Sequence, residues 1–218
     1  MDGIQLIYLL ELMTKKKEFT KSFAFRMKTD SEKKLTRNTG FYERTSKLTR
    51  NFVDARGFWL PNDYTKHGVI NEYTACREKA VVIDLSSLRK FEILGPDAEE
   101  LMNYTLTRNI KKLSVGQIVY SAMCYENGTM FDDGTLLRLS ETGFRWVCGD
   151  EYAGEWLKEQ AKKKNLKVVI KNSTDQINNL SVQGPNSRKI LEKIIFTPPT
   201  QPTISELQWF RFTICRLE

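Results

Sequence analysis

The sequence predicts an α+β fold built mostly from antiparallel sheet, and three observations predict it. The order strand–Gly-Pro–helix occurs twice, in ILGPDAEELM and in SVQGPNSRKIL, about ninety residues apart. Residues 116–148 alternate short β-branched or aromatic runs with turn residues, which is the pattern of hairpins. Helical spacing is confined to a few short stretches between these runs. Two similar half-units imply one domain with internal pseudo-symmetry.

The elements follow in order. Residues 1–40 are basic and polar and read as an arm outside the core; residues 41–218 read as the domain. Phe41–Asn51 suits a short helix, and Phe58–Leu60 with Pro61 an aromatic corner. Val69–Ala80 places Val69, Tyr73, Cys76 and Ala80 at helical spacing. Val81–Leu85 and Lys90–Leu94 are strands, β-branched or alternating. After Gly95-Pro96, Asp97 is placed to cap a helix over Ala98–Thr105, with Glu99 and Glu100 in its first turn. Ile118–Cys124 and Met130–Leu139 flank Glu126-Asn127-Gly128, a hairpin turn because Asn-Gly tolerates positive φ. Phe144–Cys148 is a further strand, and Glu151–Lys164 an amphipathic helix with Trp156, Leu157 and Ala161 inward. Lys167–Lys171 and Asn179–Gln183 are strands, Ser187–Ile194 a helix, Thr197–Thr203 a proline-rich loop, and Ser205–Leu217 a turn or short helix feeding a strand.

Composition excludes several functions. The net charge of +7 suggests nucleic acid, but residues 1–50 hold twelve Lys/Arg and six Asp/Glu, and the remaining 168 carry a net of only +1. A near-neutral body lacks the many basic contacts that phosphate binding needs. The apolar run Ile4–Met13 is shorter than the roughly 20 residues a bilayer span requires. Its basic cluster follows it, the wrong order for a secretory signal, so no membrane role and a cytoplasmic location are expected. Cys76, Cys124, Cys148 and Cys215 have no CxxC spacing and read as buried, reduced thiols. His67, the single histidine, reads as a loop residue, and no metal site is expected.

The chemistry concentrates in GQIVYSAMCYENGTMFDDGTLLRL, Gly116–Leu139. Asp132 and Asp133 are adjacent on an otherwise apolar strand, so their side chains point to opposite faces. A carboxylate entering an apolar environment needs a partner or a ligand. The residues alone leave two readings open: the inward aspartate pairs with an arginine such as Arg138 or fixes a turn, or an aspartate of the pair serves a ligand as acid or base. Tyr120 likewise reads either as a core aromatic or as a pocket wall.

This run resembles the folate-binding domain of the glycine cleavage T-protein (aminomethyltransferase) family, in which a Gly-x-x-x-Tyr strand leads through a Gly turn to a paired Asp-Asp. Gly116, Tyr120, Gly128, Asp132 and Asp133 carry the match, and FVDARGFWLPNDY, REKAVVIDLSSLRKFEILGPDA, TLTRNI and LSVQGPNSRKIL agree in order, so the resemblance covers Phe41–Leu217. It implies transfer of an aminomethyl or methyl one-carbon group to tetrahydrofolate. Asp133 is the first choice to orient and activate the folate nitrogen and Asp132 the second; Tyr120, Leu88 and Met123 are implied to line the folate site. For Leu88 ordinary core packing is the competing reading. The implied partners are folate and a small amine or methyl donor, with a lipoyl carrier protein among the family's donors.

Two departures stand out. Gly149 occupies a position where the T-protein carries Asn, and with FDDGT this brings the chain closer to the folate domains of sarcosine- and dimethylglycine-oxidising relatives. An Arg-Thr-Gly-Tyr-x-Gly-Glu segment, expected beyond Leu217, is not in the sequence, so the resemblance implies an N-terminal part truncated at its C-terminus. The alternatives are a non-catalytic folate-binding module of the kind involved in iron–sulfur protein maturation, and an inactive fragment. The aspartate pair, with no Lys-Gly-Cys-Tyr motif, favours the enzyme.

Overall fold

The computed structural model describes residues 36–217; most of the basic arm lies outside the described residues. Among the described residues, twelve strands and five α-helices follow one another: β1 (Arg37–Asn38), α1 (Tyr42–Thr45), β2 (Phe52–Ala55), β3 (Phe58–Pro61), α2 (Val69–Glu78), β4 (Val81–Asp84), β5 (Arg89–Leu94), α3 (Ala98–Thr105), β6 (Ile118–Cys124), β7 (Met130–Ser140), β8 (Gly143–Cys148), α4 (Tyr152–Lys163), β9 (Val169–Asn172), β10 (Leu180–Gln183), α5 (Ser187–Leu191), β11 (Ile195–Phe196) and β12 (Arg216–Leu217). A 3₁₀ turn spans Ile110–Lys112.

A five-stranded, wholly antiparallel sheet in the order β6-β7-β8-β5-β9 dominates, so the α+β class holds. One face carries the core: Phe91, Ile93, Met123, Leu136, Phe144 and Trp146 pack against Leu101 and Met102 of α3 and Ala153, Trp156 and Leu157 of α4. Each large apolar side chain removed from water contributes roughly 1.5–3 kcal/mol, which is why these two helices lie on this face. The contact is close enough that a β-carbon on Gly154 would collide with the Phe91 ring.

The pseudo-symmetry is realised with crossed partners. Strand β5 ends in Gly95-Pro96 before α3 and pairs with β9, which follows α4. Strand β10 ends in Gly184-Pro185 before α5 and pairs with β4, which follows α2. Both glycines have positive φ, 137° and 119°, and a β-carbon on either would meet the carbonyl of a lysine leading into the paired strand: Lys167 for Gly95, Lys79 for Gly184. The repeated Gly-Pro is thus a requirement for backbone contact at each strand end.

Two local expectations are corrected. Asp97 makes no capping hydrogen bond to α3; its Oδ2 accepts the backbone N–H of Lys167 at 2.6 Å, because the lead-in to β9 brings an otherwise unpaired donor there. Phe58–Pro61 is not a corner but a strand, paired with β2 through the two-residue turn Arg56-Gly57. Both turn residues have positive φ, 55° and 80°. Such a turn matches the twist of its strands, but a non-glycine residue in it costs roughly 1–2 kcal/mol. The β6–β7 turn forms as expected, with Gly128 at φ 84° and Asn127 Oδ1 accepting from Thr129 N. All four cysteines are unpaired, but only Cys148 is buried and Cys215 is exposed, since it lies in the irregular segment before β12. No helix among the described residues is long and apolar enough to cross a membrane.

Candidate active site

Register sets the site. The turn at Asn127-Gly128 pairs Tyr120 with Thr135 and Ala122 with Asp133, and β8 and β5 continue the first row with Val147 and Lys90. The face opposite the core therefore carries a transverse row Tyr120–Thr135–Val147–Lys90, with Asp133 and Ala122 one step along. Tyr120 and Asp133 are exposed there, Tyr120 to 50 %. Tyr120 is not a core aromatic.

Asp132 turns to the other side and is buried. Its Oδ1 accepts the N–H groups of Asp133 (2.9 Å) and Gly149 (3.3 Å), and its Oδ2 that of Asp150 (3.1 Å). It fastens the chain leaving β8 to strand β7. A β-bulge between Met123 and Cys124 leaves Phe131 unpaired just before the aspartates. Its ring packs among Tyr125, Tyr152 and Trp156, which anchors this end of β7. Gly134 has no room for a side chain: a β-carbon there would collide with the Val147 carbonyl and approach Trp146 to 3.0 Å. Arg138 does not meet either aspartate. Six residues along the strand is about 20 Å, and its guanidinium bonds Glu99 Oε2 at 2.6 Å and the Leu113 carbonyl at 2.9 Å.

Met123 is paired with Asp132, fully buried in the core, and cannot reach the face that displays Asp133. Leu88 is half-buried in the bend preceding β5, where its carbonyl accepts from Lys90 Nζ at 2.8 Å. Lys90 is only 1 % exposed and also donates to the Ser86 carbonyl at 2.8 Å. Burial, opposed by Asp84, lowers its ammonium pKa to about 8. Burial and the Asp132 carboxylate push the Cys148 thiol well up, so it is protonated and inert at neutral pH. The structure brings Asp133 and Tyr120 to one face and sets Asp132 and Met123 on the other. A cavity of about 560 Å³, lined by Leu60, Tyr64, Glu72, Cys76 and Val81 among others, includes none of these four residues. Among the described residues no cluster of His, Cys, Asp or Glu is arranged for a metal.

The GCVT N-terminal domain family matches residues 41–217, the whole sheet and both flanking helices. The chain belongs to this family. As a GCVT N-terminal domain it is 52% identical over 202 residues to the trimethylamine-oxide aldolase of Ruegeria pomeroyi, an alignment covering 93% of this chain and 26% of that protein. It is 33% identical over 180 residues to the aminomethyltransferase of Symbiobacterium thermophilum, covering 80% of this chain and 46% of the relative. The crystal structure of glycine cleavage system aminomethyltransferase T from Bartonella henselae superposes with a TM-score of 0.66 at 26% identity, over 80% of this chain and 46% of that one. The chain thus spans about a quarter of the aldolase and just under half of the aminomethyltransferases.

Sequence reasoning missed two features around the aspartates. Thr135 and Val147 join the open face through a register that no local motif displays. Arg56 arrives from the β2–β3 turn, and the only signal for it was Arg-Gly between two β-prone runs.

Proposed function

We propose that this GCVT N-terminal domain supports one-carbon transfer, of an aminomethyl or methyl group, to tetrahydrofolate, with Asp133 as the acid–base residue. The observation that carries the reading is the division of labour within the pair. Asp132 is spent on backbone N–H groups, whereas Asp133 stands exposed beside the Tyr120–Thr135–Val147 row. A half-exposed phenol, a valine and a threonine beside a carboxylate suit a flat heteroaromatic ring bearing a basic nitrogen. Tetrahydrofolate supplies the nucleophilic nitrogen; Asp133 orients it by accepting its N–H and holds the proton released on attack. Tyr120 and Val147 shield the ring, and Leu88, in the bend before β5, is the further apolar contact proposed for it. Asp132 acts by fixing the loop after β8, so that it positions the site without touching the folate.

A second donor is favoured by the likeness to trimethylamine-oxide aldolase. Cleavage of trimethylamine oxide to an aldehyde releases one carbon as formaldehyde, and the same folate nitrogen is the nucleophile that condenses with it, with loss of water. In that reading this chain corresponds to the folate-holding portion of a larger protein.

Titration with tetrahydrofolate, followed by tryptophan fluorescence, tests binding; saturable quenching is expected. Asp133→Asn then separates the roles: binding persists and transfer is lost. Unchanged transfer by this variant removes Asp133 from the chemistry, and absence of saturable binding by the wild-type chain removes the folate reading.

A further inference from the structure

We propose that Arg56, at the tip of the β2–β3 turn, is a ligand-binding residue of this site, donating through its guanidinium to an acceptor group of the bound folate; the proposal rests on the folate reading above.

Four observations carry it. The first is position. A β-carbon built on Gly149 lies 3.2 Å from Asp132 Oδ1, 3.6 Å from Arg56 Nη2 and 3.9 Å from Arg56 Nε. The guanidinium edge therefore lies within van der Waals reach of position 149, beside the loop that Asp132 holds. The second is availability. Arg56 is exposed, and no hydrogen bond or ion pair engages its guanidinium among the described residues. Five donors in a rigid fork, and no acceptor, select carbonyl, carboxylate or ring-nitrogen acceptors.

The third observation is anchoring. Arg89 is buried, at 7 % exposed, and its Nη2 donates to the Arg56 carbonyl at 2.8 Å while its guanidinium packs over the Phe58 ring. Gly57 N donates to Asp54 Oδ1 at 2.9 Å and closes the same turn. The turn is thus clamped to the large sheet at the first residue of β5, and Arg56 is presented by a fixed backbone. The fourth is conformation. Arg56 has φ 55°, where glycine or asparagine is the ordinary choice. An arginine held there, with no charge partner among the described residues, is the kind of local conflict that concentrates at binding sites.

The test is Arg56→Gly in the full chain, read by thermal unfolding and by fluorescence titration with tetrahydrofolate and with 6-methyltetrahydropterin, which lacks the benzoylglutamate tail. Glycine suits the turn, so Tm is expected to hold or rise. The Kd for tetrahydrofolate is expected to rise about tenfold or more, the scale of one charge-assisted hydrogen bond. Arg56→Lys should recover part of that loss, because it keeps the charge and loses the fork. A parallel loss for 6-methyltetrahydropterin assigns the acceptor to the pterin ring; a loss confined to tetrahydrofolate assigns it to the tail. An unchanged Kd for both ligands, with the wild type binding normally, overturns the proposal, as does a lowered Tm with unchanged affinity, the mark of a purely structural residue. Failure of the wild type to bind either ligand overturns the folate reading and this inference with it.

Discussion

The carboxylate of Asp132 accepts the backbone N–H of Asp150 at 3.1 Å, while the adjacent Asp133 projects from the other face of the same strand. One residue of the pair holds backbone N–H groups and its neighbour is exposed to solvent. That asymmetry makes the two positions separable by experiment.

Asp133→Asn should leave Tm within about 1 °C of wild type, because the side chain is exposed and surface substitutions cost little. One-carbon transfer should fall by roughly 10²–10⁴-fold, the range for loss of a positioned acid–base group. Single-turnover kinetics with saturating tetrahydrofolate would measure it.

Asp132→Ala should behave in the opposite way. It leaves the N–H groups of Gly149 and Asp150 without their acceptor in a half-buried turn. A loss of about 1–3 kcal/mol in urea unfolding is expected, with a higher Kd for tetrahydrofolate as the β8–α4 loop loosens. Asp132→Asn keeps one acceptor oxygen and should cost less than Asp132→Ala.

Gly134→Ala should destabilise by roughly 1–3 kcal/mol, since a methyl group there meets the Val147 carbonyl and Trp146 and forces β7 from β8. The emission of Trp146 should shift as its packing opens. An unshifted spectrum with wild-type stability would show that the strands tolerate the methyl.

Lys90 gives a pH signature. Burial holds its folded pKa at about 8, below the unfolded value of about 10.4. Between these values the unfolded chain binds the proton more tightly, so stability contributed by this group is lowest below pH 8 and rises as pH climbs toward 10.4. The urea midpoint of wild type minus that of Lys90→Met, measured at pH 7, 8, 9 and 10, should increase across the series. A flat difference would show that the ammonium carries no such penalty.

Much of the fold was legible because its signals are local. The turn at Asn127-Gly128, the alternation of Ile118–Cys124 and the inward stripe of Trp156, Leu157 and Ala161 each depend on residues within a few positions of one another, and each formed as read. Asp97 misled because its chemistry suits two roles, a helix cap and an acceptor for a distant N–H, and only the arrival of Lys167 chose between them. The Phe58–Pro61 strand was missed because the Arg56-Gly57 turn lacks the usual Asn or Asp.

The sequence by itself determined the α+β class, the twofold strand–Gly-Pro–helix pattern, and that Asp132 and Asp133 face opposite ways, because strand alternation and turn chemistry are properties of neighbouring residues. Tertiary structure decided which aspartate is buried, which strands pair across the two half-units, and that Arg56 meets Gly149. Those depend on which face of the sheet the helices cover and on contacts between residues nearly a hundred positions apart, and no local pattern encodes them.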